Sequence, residues 1–155
     1  MATRLRDEIK QSKPFQSLEQ EALLSIERTA AVLGHAVADA LKPYGVTPTQ
    51  YNVLRILRGA GRAGLCRNEV RERMIAQVPD VTRLLDRLAE MGLIDRERDS
   101  GDRRLVTTRI TPQGLRLLRQ LDLPISEIHE RQLGHMSGQR LHTLIELLSV
   151  AREKA

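Results

Sequence analysis

The 155-residue chain is 41% hydrophobic and 29% charged, which fits one folded, charge-rich domain and excludes a disordered or low-complexity polymer. With no Trp, one Phe and two Tyr its core must be aliphatic, and with Cys66 as the only cysteine no intrachain disulfide is available. The net charge of +5 is concentrated in the middle: residues 51–110 hold thirteen basic side chains, every one an Arg, against nine acidic ones. Arg offers a planar fork suited to phosphate and guanine, so the segment points modestly to nucleic acid, with helix-surface ion pairs an equal alternative on this fact alone.

In chain order, MATRLRDEIK has no apolar signal core, and the longest nearly apolar run, Ala30 to Ala38, is interrupted by His35 and falls far short of a membrane span. A cytoplasmic location without a membrane partner is the expectation. Ser17-Leu18-Glu19-Gln20 reads as a capping box opening a long helix, which Lys42-Pro43-Tyr44-Gly45 ends. Thr47-Pro48-Thr49-Gln50 combines an N-cap, Pro at the first helical position and a second capping box, with Val46 and Tyr51 placed as a hydrophobic staple. That helix is predicted to run to about Arg58 and give way to the Gly-rich stretch 59–64.

A short helix is predicted over Arg67 to Ile75. In the following Ala76–Leu93 stretch, Val81, Leu84, Leu85 and Leu88 follow the spacing of one buried helical face, while Thr82, Arg83, Asp86, Arg87 and Glu90 share the opposite face. Gly92-Leu93 fits a left-handed C-cap with its hydrophobic follower. Ile94–Arg98 and Leu105–Ile110 read as two strands, the second alternating Val106, Thr108 and Ile110, with Asp99–Arg103 as the turn around Gly101. Thr111-Pro112 opens another helix carrying Leu115, Leu118, Leu121 and Ile125, in which Pro124 predicts a kink or break. Ser137 caps a last helix with Leu141, Leu144, Ile145 and Leu148 on one stripe.

The expected fold is therefore mostly α with a small β-hairpin (α+β). A short helix, a tight connection, an amphipathic helix and a hairpin make a winged helix-turn-helix, whose second helix reads base edges in the major groove. At VTPTQYNVLRIL, PDVTRLLDRLAEMGLIDRERD and SGDRRLVTTRITPQG the chain closely resembles the MarR (multiple antibiotic resistance regulator) family of bacterial transcription factors. The resemblance runs from about Leu18 to Arg152. It implies one MarR-like domain over 1–155, with a DNA-binding lobe at 46–110 and dimerisation helices at 17–42 and 112–153. It further implies a homodimer on double-stranded DNA with a pseudo-palindromic operator. The stripe Leu141, Leu144, Ile145 and Leu148 and the run Ala22 to Val37 carry more apolar surface than two small lobes can cover, which points to a dimer held by both ends of the chain. A transcriptional regulator, most simply a repressor, is the expected function.

By the family pattern, Arg104 enters the minor groove and Asp102 orients the wing arginine by a salt bridge, with Arg103 beside it. Gln77, Asp80, Thr82, Arg83 and Arg87 complete the candidate DNA-binding set. Two departures stand out. Ile75-Ala76-Gln77 replaces the Gly-Val-Ser of many members, making Gln77 a poorer cap than Ser. Asp80 replaces a Thr or Ser; its acid either suits the helix dipole, the preferred reading, or accepts from cytosine N4.

Cys66 lies where the family has a Thr or Ser cap, and a helix N-terminus beside Arg67 is an environment in which a thiol can sense oxidants. Peroxide-sensing members carry their cysteine near the start of the first helix, so a small half-buried side chain is the preferred reading. The gaps of six and seven among His129, His135 and His142 do not suit a helical metal site. No nucleophile–base pair, phosphate loop or metalloprotease motif occurs, so neither an enzyme nor a cofactor is expected. Family members often carry a ligand crevice between the dimerisation helices and the DNA lobe; a small-molecule effector here would meet aliphatic walls. The alternative function is a winged helix used for protein interaction, in which Arg83, Arg87 and Arg104 are ordinary solvated charges.

Overall fold

The structure, a computed structural model, describes residues 4–155. Its described elements are α1 (Leu5–Glu8), α2 (Leu18–Leu41), α3 (Pro48–Ala60), α4 (Arg67–Arg73), α5 (Val81–Glu90), β1 (Ile94–Arg98), β2 (Val106–Ile110), α6 (Pro112–Leu133) and α7 (Gly138–Arg152), with single 3₁₀ turns at Lys42–Tyr44 and Gly61–Ala63.

Each long helix starts where a side-chain oxygen can take an orphan N–H. Ser17 accepts from the Gln20 N–H, Thr47 from Gln50, Thr111 from Gly114 and Ser137 from Arg140. At α3 the box is reciprocal, Gln50 Oε1 accepting from the Thr47 N–H at 2.9 Å. At α2 the Gln20 amide reaches one residue further and takes the Gln16 N–H at 2.8 Å. Val46 and Tyr51 are both buried, as a staple requires.

The core is aliphatic. Val53, Leu54 and Leu57 of α3 pack with Val70, Leu85, Leu88, Ile94, Leu118 and Leu121, and Leu41 from the end of α2 joins them. α5 ends in a Schellman motif: Gly92, at φ 73°, donates to Ala89 O, and Leu93 donates to Leu88 O at 3.1 Å. β1 and β2 pair antiparallel, Ile94 opposite Ile110 and Arg98 opposite Val106.

A third segment joins this hairpin. Leu65 bridges Thr108, its N–H donating to Thr108 O at 3.0 Å and its carbonyl accepting from the Thr108 N–H at 2.8 Å. Gly64 makes this approach feasible. It sits at φ 67°, and a Cβ there would lie 2.6 Å from the Thr108 carbonyl oxygen and 2.7 Å from side-chain carbons of Thr107 and Arg109. Gly64→Ala is therefore expected to destabilise the fold by about 1–3 kcal/mol, with overpacking and a strained φ acting together. The midpoint of urea unfolding measures this; an unshifted midpoint would show that the contact relaxes freely.

The winged helix-turn-helix is present as expected, mostly helical with one small hairpin, and it departs from the sequence expectation in detail. α1, with buried Leu5, was not anticipated, because four residues are too few to show a period. α4 stops at Arg73, Met74 having turned extended while staying buried. β2 begins at Val106, and Leu105 belongs to the turn, its N–H donating to Asp102 O at 3.0 Å. Pro124 does not break its helix, since α6 is continuous over 22 residues and the missing N–H costs only the Gln120 carbonyl its helical donor.

Candidate nucleic-acid interface

The helix expected to read DNA starts at Val81. Its N-cap is Asp80, whose Oδ1 accepts from the Arg83 N–H at 2.9 Å. Gln77 is not the cap. It is exposed in the connection after α4, because Pro79 disfavours helical geometry in Val78 and resets the start. Asp80 likewise stands one position before the first turn, and its carboxylate is committed to starting the helix.

On α5, Val81, Leu85 and Leu88 are buried, while Arg83 and Arg87 are exposed. The Arg83 guanidinium has no carboxylate within salt-bridge distance among the described residues. Arg87 Nη1 lies 3.5 Å from Glu90 Oε2, an exposed pair of small worth. Thr82 is half-buried, and its hydroxyl accepts from Arg67 Nη1 at 3.2 Å, tying α5 to α4.

A second tie went unseen in the sequence. Asp86 of α5 pairs with Arg96 of β1, and Arg96 Nε is buried without a hydrogen-bond partner. Alternation along β1 puts Arg96 on the face of buried Ile94, a legible sign that this arginine turns inward. Arg67, Thr82 and Arg96 then share a cup of about 250 Å³ with Arg104 of the wing. Wing and recognition helix thus converge on one Arg-lined hollow.

The wing tip is built on two carboxylates. Asp99 Oδ1 accepts from the N–H groups of Gly101 at 2.7 Å and Asp102 at 3.1 Å, and these bonds hold the Asp99 carboxyl below the usual carboxylate range. Asp102 Oδ1 accepts from the Arg104 N–H at 2.9 Å. The expected salt bridge is absent among the described residues: Asp102 fixes the backbone of Arg104 and leaves the guanidinium free. A two-residue side-chain-to-backbone turn is the shortest bond this spacing permits. Gly101 is not in the left-handed region; it supplies room, since a Cβ there would meet Asp99 Oδ1 at 3.2 Å. Arg103 and Arg104 are exposed.

Of the C-terminal stripe, Leu141, Leu144 and Leu148 are half-buried and Ile145 is 63% exposed, with Leu147 and Val150 exposed beside it. α7 has no buried residue. On α2, Leu18, Leu23, Ile26 and Val32 are exposed as well. Cys66 is a half-buried free thiol at the start of α4, its N–H donating to Glu69 Oε2 at 2.8 Å. Among the described residues no group of three His, Cys, Asp or Glu is placed to hold a metal ion, and no helix is long and apolar enough to cross a membrane.

A short helix, a tight connection, a buried-faced helix with exposed arginines outward and a hairpin whose tip carries two more together define a winged helix-turn-helix protein. Residues 46–106 match the MarR family. The multiple antibiotic resistance protein MarR of Salmonella typhimurium is 30% identical over 109 residues, spanning 70% of this chain and 74% of that protein. A MarR transcription factor from Planctomyces limnophilus is 38% identical, covering 88% of this chain and 99% of its own, at a TM-score of 0.67. A mutant MarR from E. coli complexed with operator DNA shares the fold at a TM-score of 0.76 and 22% identity, covering 97% of this chain and 99% of that one. The chain belongs to the MarR family.

Proposed function

We propose that the chain is a transcriptional regulator, acting as a repressor, that binds a pseudo-palindromic operator as a homodimer. Residues 46–110 form the DNA-reading lobe, and the helices within 17–42 and 112–153 pair the two copies. The observation that carries this reading is the convergence of Thr82 on α5 and Arg104 on the wing at one Arg-lined cup. A duplex entering there meets the first turn of α5 and the wing arginine together, with Arg67 between them. The mutant MarR of E. coli, which shares this fold, is seen with operator DNA.

Within the interface, Arg83 takes base edges, Arg87 a phosphate, and Arg104 the minor groove beside Arg103. Thr82 and Asp80 place the helix that carries the first two. A crevice of about 540 Å³ between α2, α3, the α4–α5 connection and α6 suits a small effector that releases the DNA. Its walls are not purely aliphatic. Tyr51 contributes a ring with the Arg55 guanidinium 5.9 Å from its centroid, and Thr49, Asn52 and His129 add further polar groups, favouring a ligand with an apolar body and an acidic function.

The test is selection of bound duplexes from genomic fragments by the purified protein, followed by titration of the enriched site against salt. Operator binding gives a log-linear loss of affinity with salt; a protein-interaction module gives no enriched site and little salt dependence. On the enriched site, Arg83→Ala is expected to cost about 1–3 kcal/mol and to relax preference at one or two base pairs, whereas Arg87→Ala weakens every sequence alike. Equal losses on specific and random duplexes for both variants would refute the assigned roles.

A further inference from the structure

One pair of side chains is joined by three hydrogen bonds away from the wing and α5. Arg58, in the last turn of α3, forks onto Asp122 of α6: Nη1 donates to Oδ1 at 3.0 Å and to Oδ2 at 2.9 Å, and Nη2 donates to Oδ1 at 3.0 Å. The fork holds the Asp122 carboxyl below its ordinary range. Among the described residues it is the one ion pair that joins the winged-helix lobe to α6. The pair is half-open to solvent, so its worth as a stability element is small. Its placement is what matters.

α6 meets the lobe at two polar anchors. At its start the Thr111 hydroxyl donates to Gly92 O at 2.7 Å and the Thr111 N–H to Leu93 O at 3.1 Å. The second anchor is Asp122, eleven residues on and about 16 Å further along the axis. One anchor is a pivot; two define a direction. Between them the α3–α6 contact is aliphatic, through Leu57, Leu118 and Leu121, and apolar packing is non-directional. Two residues after Asp122, Pro124 deprives the Gln120 carbonyl of its helical donor, so the fork grips α6 at its weakest turn.

From this juxtaposition we infer that Arg58 and Asp122 are positioning residues that set the angle of the DNA-reading lobe against α6, and hence which half-site separation the dimer accepts. The inference rests on the operator-binding reading above. The sensitivity is geometric: a tilt of about 10° across a lobe roughly 30 Å wide displaces its far end by about 5 Å, more than the ~3.4 Å rise between base pairs. A guanidinium–carboxylate fork, with three hydrogen bonds between two planar groups, resists such a tilt where leucines slide.

The test uses the full chain and inverted half-sites whose separation is changed one base pair at a time, with random duplex as reference. Arg58→Ala and Asp122→Ala are each expected to lose about tenfold at the preferred separation and less at its neighbours, flattening the profile. The double variant is no worse than the poorer single one, and random-sequence binding is unchanged. Arg58→Lys keeps the charge and the fold but not the fork, and it flattens the profile too. A profile superimposable on the wild type in Arg58→Lys or Asp122→Ala, or additive losses in the double variant, overturns the inference. If the unaltered chain itself shows no preferred separation, the operator reading fails, and the pair is judged without DNA. Spin labels attached through Glu72→Cys and Glu146→Cys in a Cys66→Ser background, diluted with unlabelled chain, give the lobe-to-α7 distance. A broader distribution in Arg58→Lys supports the clasp, and equal widths overturn it.

Discussion

Ile145→Glu is expected to convert the dimer into monomers and to lower operator affinity by about 100-fold or more, because the second half-site is then no longer captured at high effective concentration. Ile145 is 63% exposed within its own chain, so a carboxylate there breaks no contact inside the subunit. It does place a charge in the middle of a stripe whose other members, Leu141, Leu144 and Leu148, are only half-covered. A 15-residue helix with no fully buried side chain gains little from its own subunit, so a proposed partner surface would add to the stability of α7. Sedimentation and operator titration of the same preparation check the pair of effects. A variant that sediments as the wild type and binds equally well would place the dimer contact elsewhere.

The wing gives the second large effect. Arg104→Ala is expected to cost about 1–3 kcal/mol of operator affinity and to reduce the salt slope by about one. Asp102→Ala is expected to weaken binding as well, although it removes a negative charge from the wing tip. Its Oδ1 holds the Arg104 N–H at 2.9 Å, and losing that bond frees the backbone that aims the side chain. A flexible tip must surrender backbone and rotamer freedom on docking, of the order of 1–2 kcal/mol per residue. The double variant should cost less than the sum, the mark of two residues acting together. Tighter binding by Asp102→Ala at every salt concentration would reduce the wing to a charged hairpin.

Much of this architecture was legible because helix starts are local chemistry. Ser17, Thr47, Thr111 and Ser137 each cap the helix expected of them, and the buried face of α5 follows from spacing alone. The start of α5 was misplaced at Gln77 although Pro79 announced the true boundary one residue before Asp80. The Asp99-x-Gly spacing announces a side-chain turn, yet the family pattern implied a salt bridge where Asp102 in fact holds an N–H. Alternation along β1 marks Arg96 as inward-turned, but which residues pair between elements was not legible. Arg96 meets Asp86 ten residues away and Arg58 meets Asp122 sixty-four residues away, and nothing in either neighbourhood selects its partner until the helices are packed.

The bridge between Leu65 and Thr108 bears on how such a protein can change over generations. Its two bonds are made by main-chain groups, so the wing is registered against the helix-turn-helix by atoms that every residue except proline possesses. Side chains on the outer face of β1 and β2 can be exchanged without moving the tip, and the tip residues can be exchanged without loosening the strands. If the proposed roles of 83 and 104 hold, a new operator preference is reachable by single substitutions at either, each tried on an unchanged chassis. The position that cannot drift is Gly64, where any side chain would strike the Thr108 carbonyl.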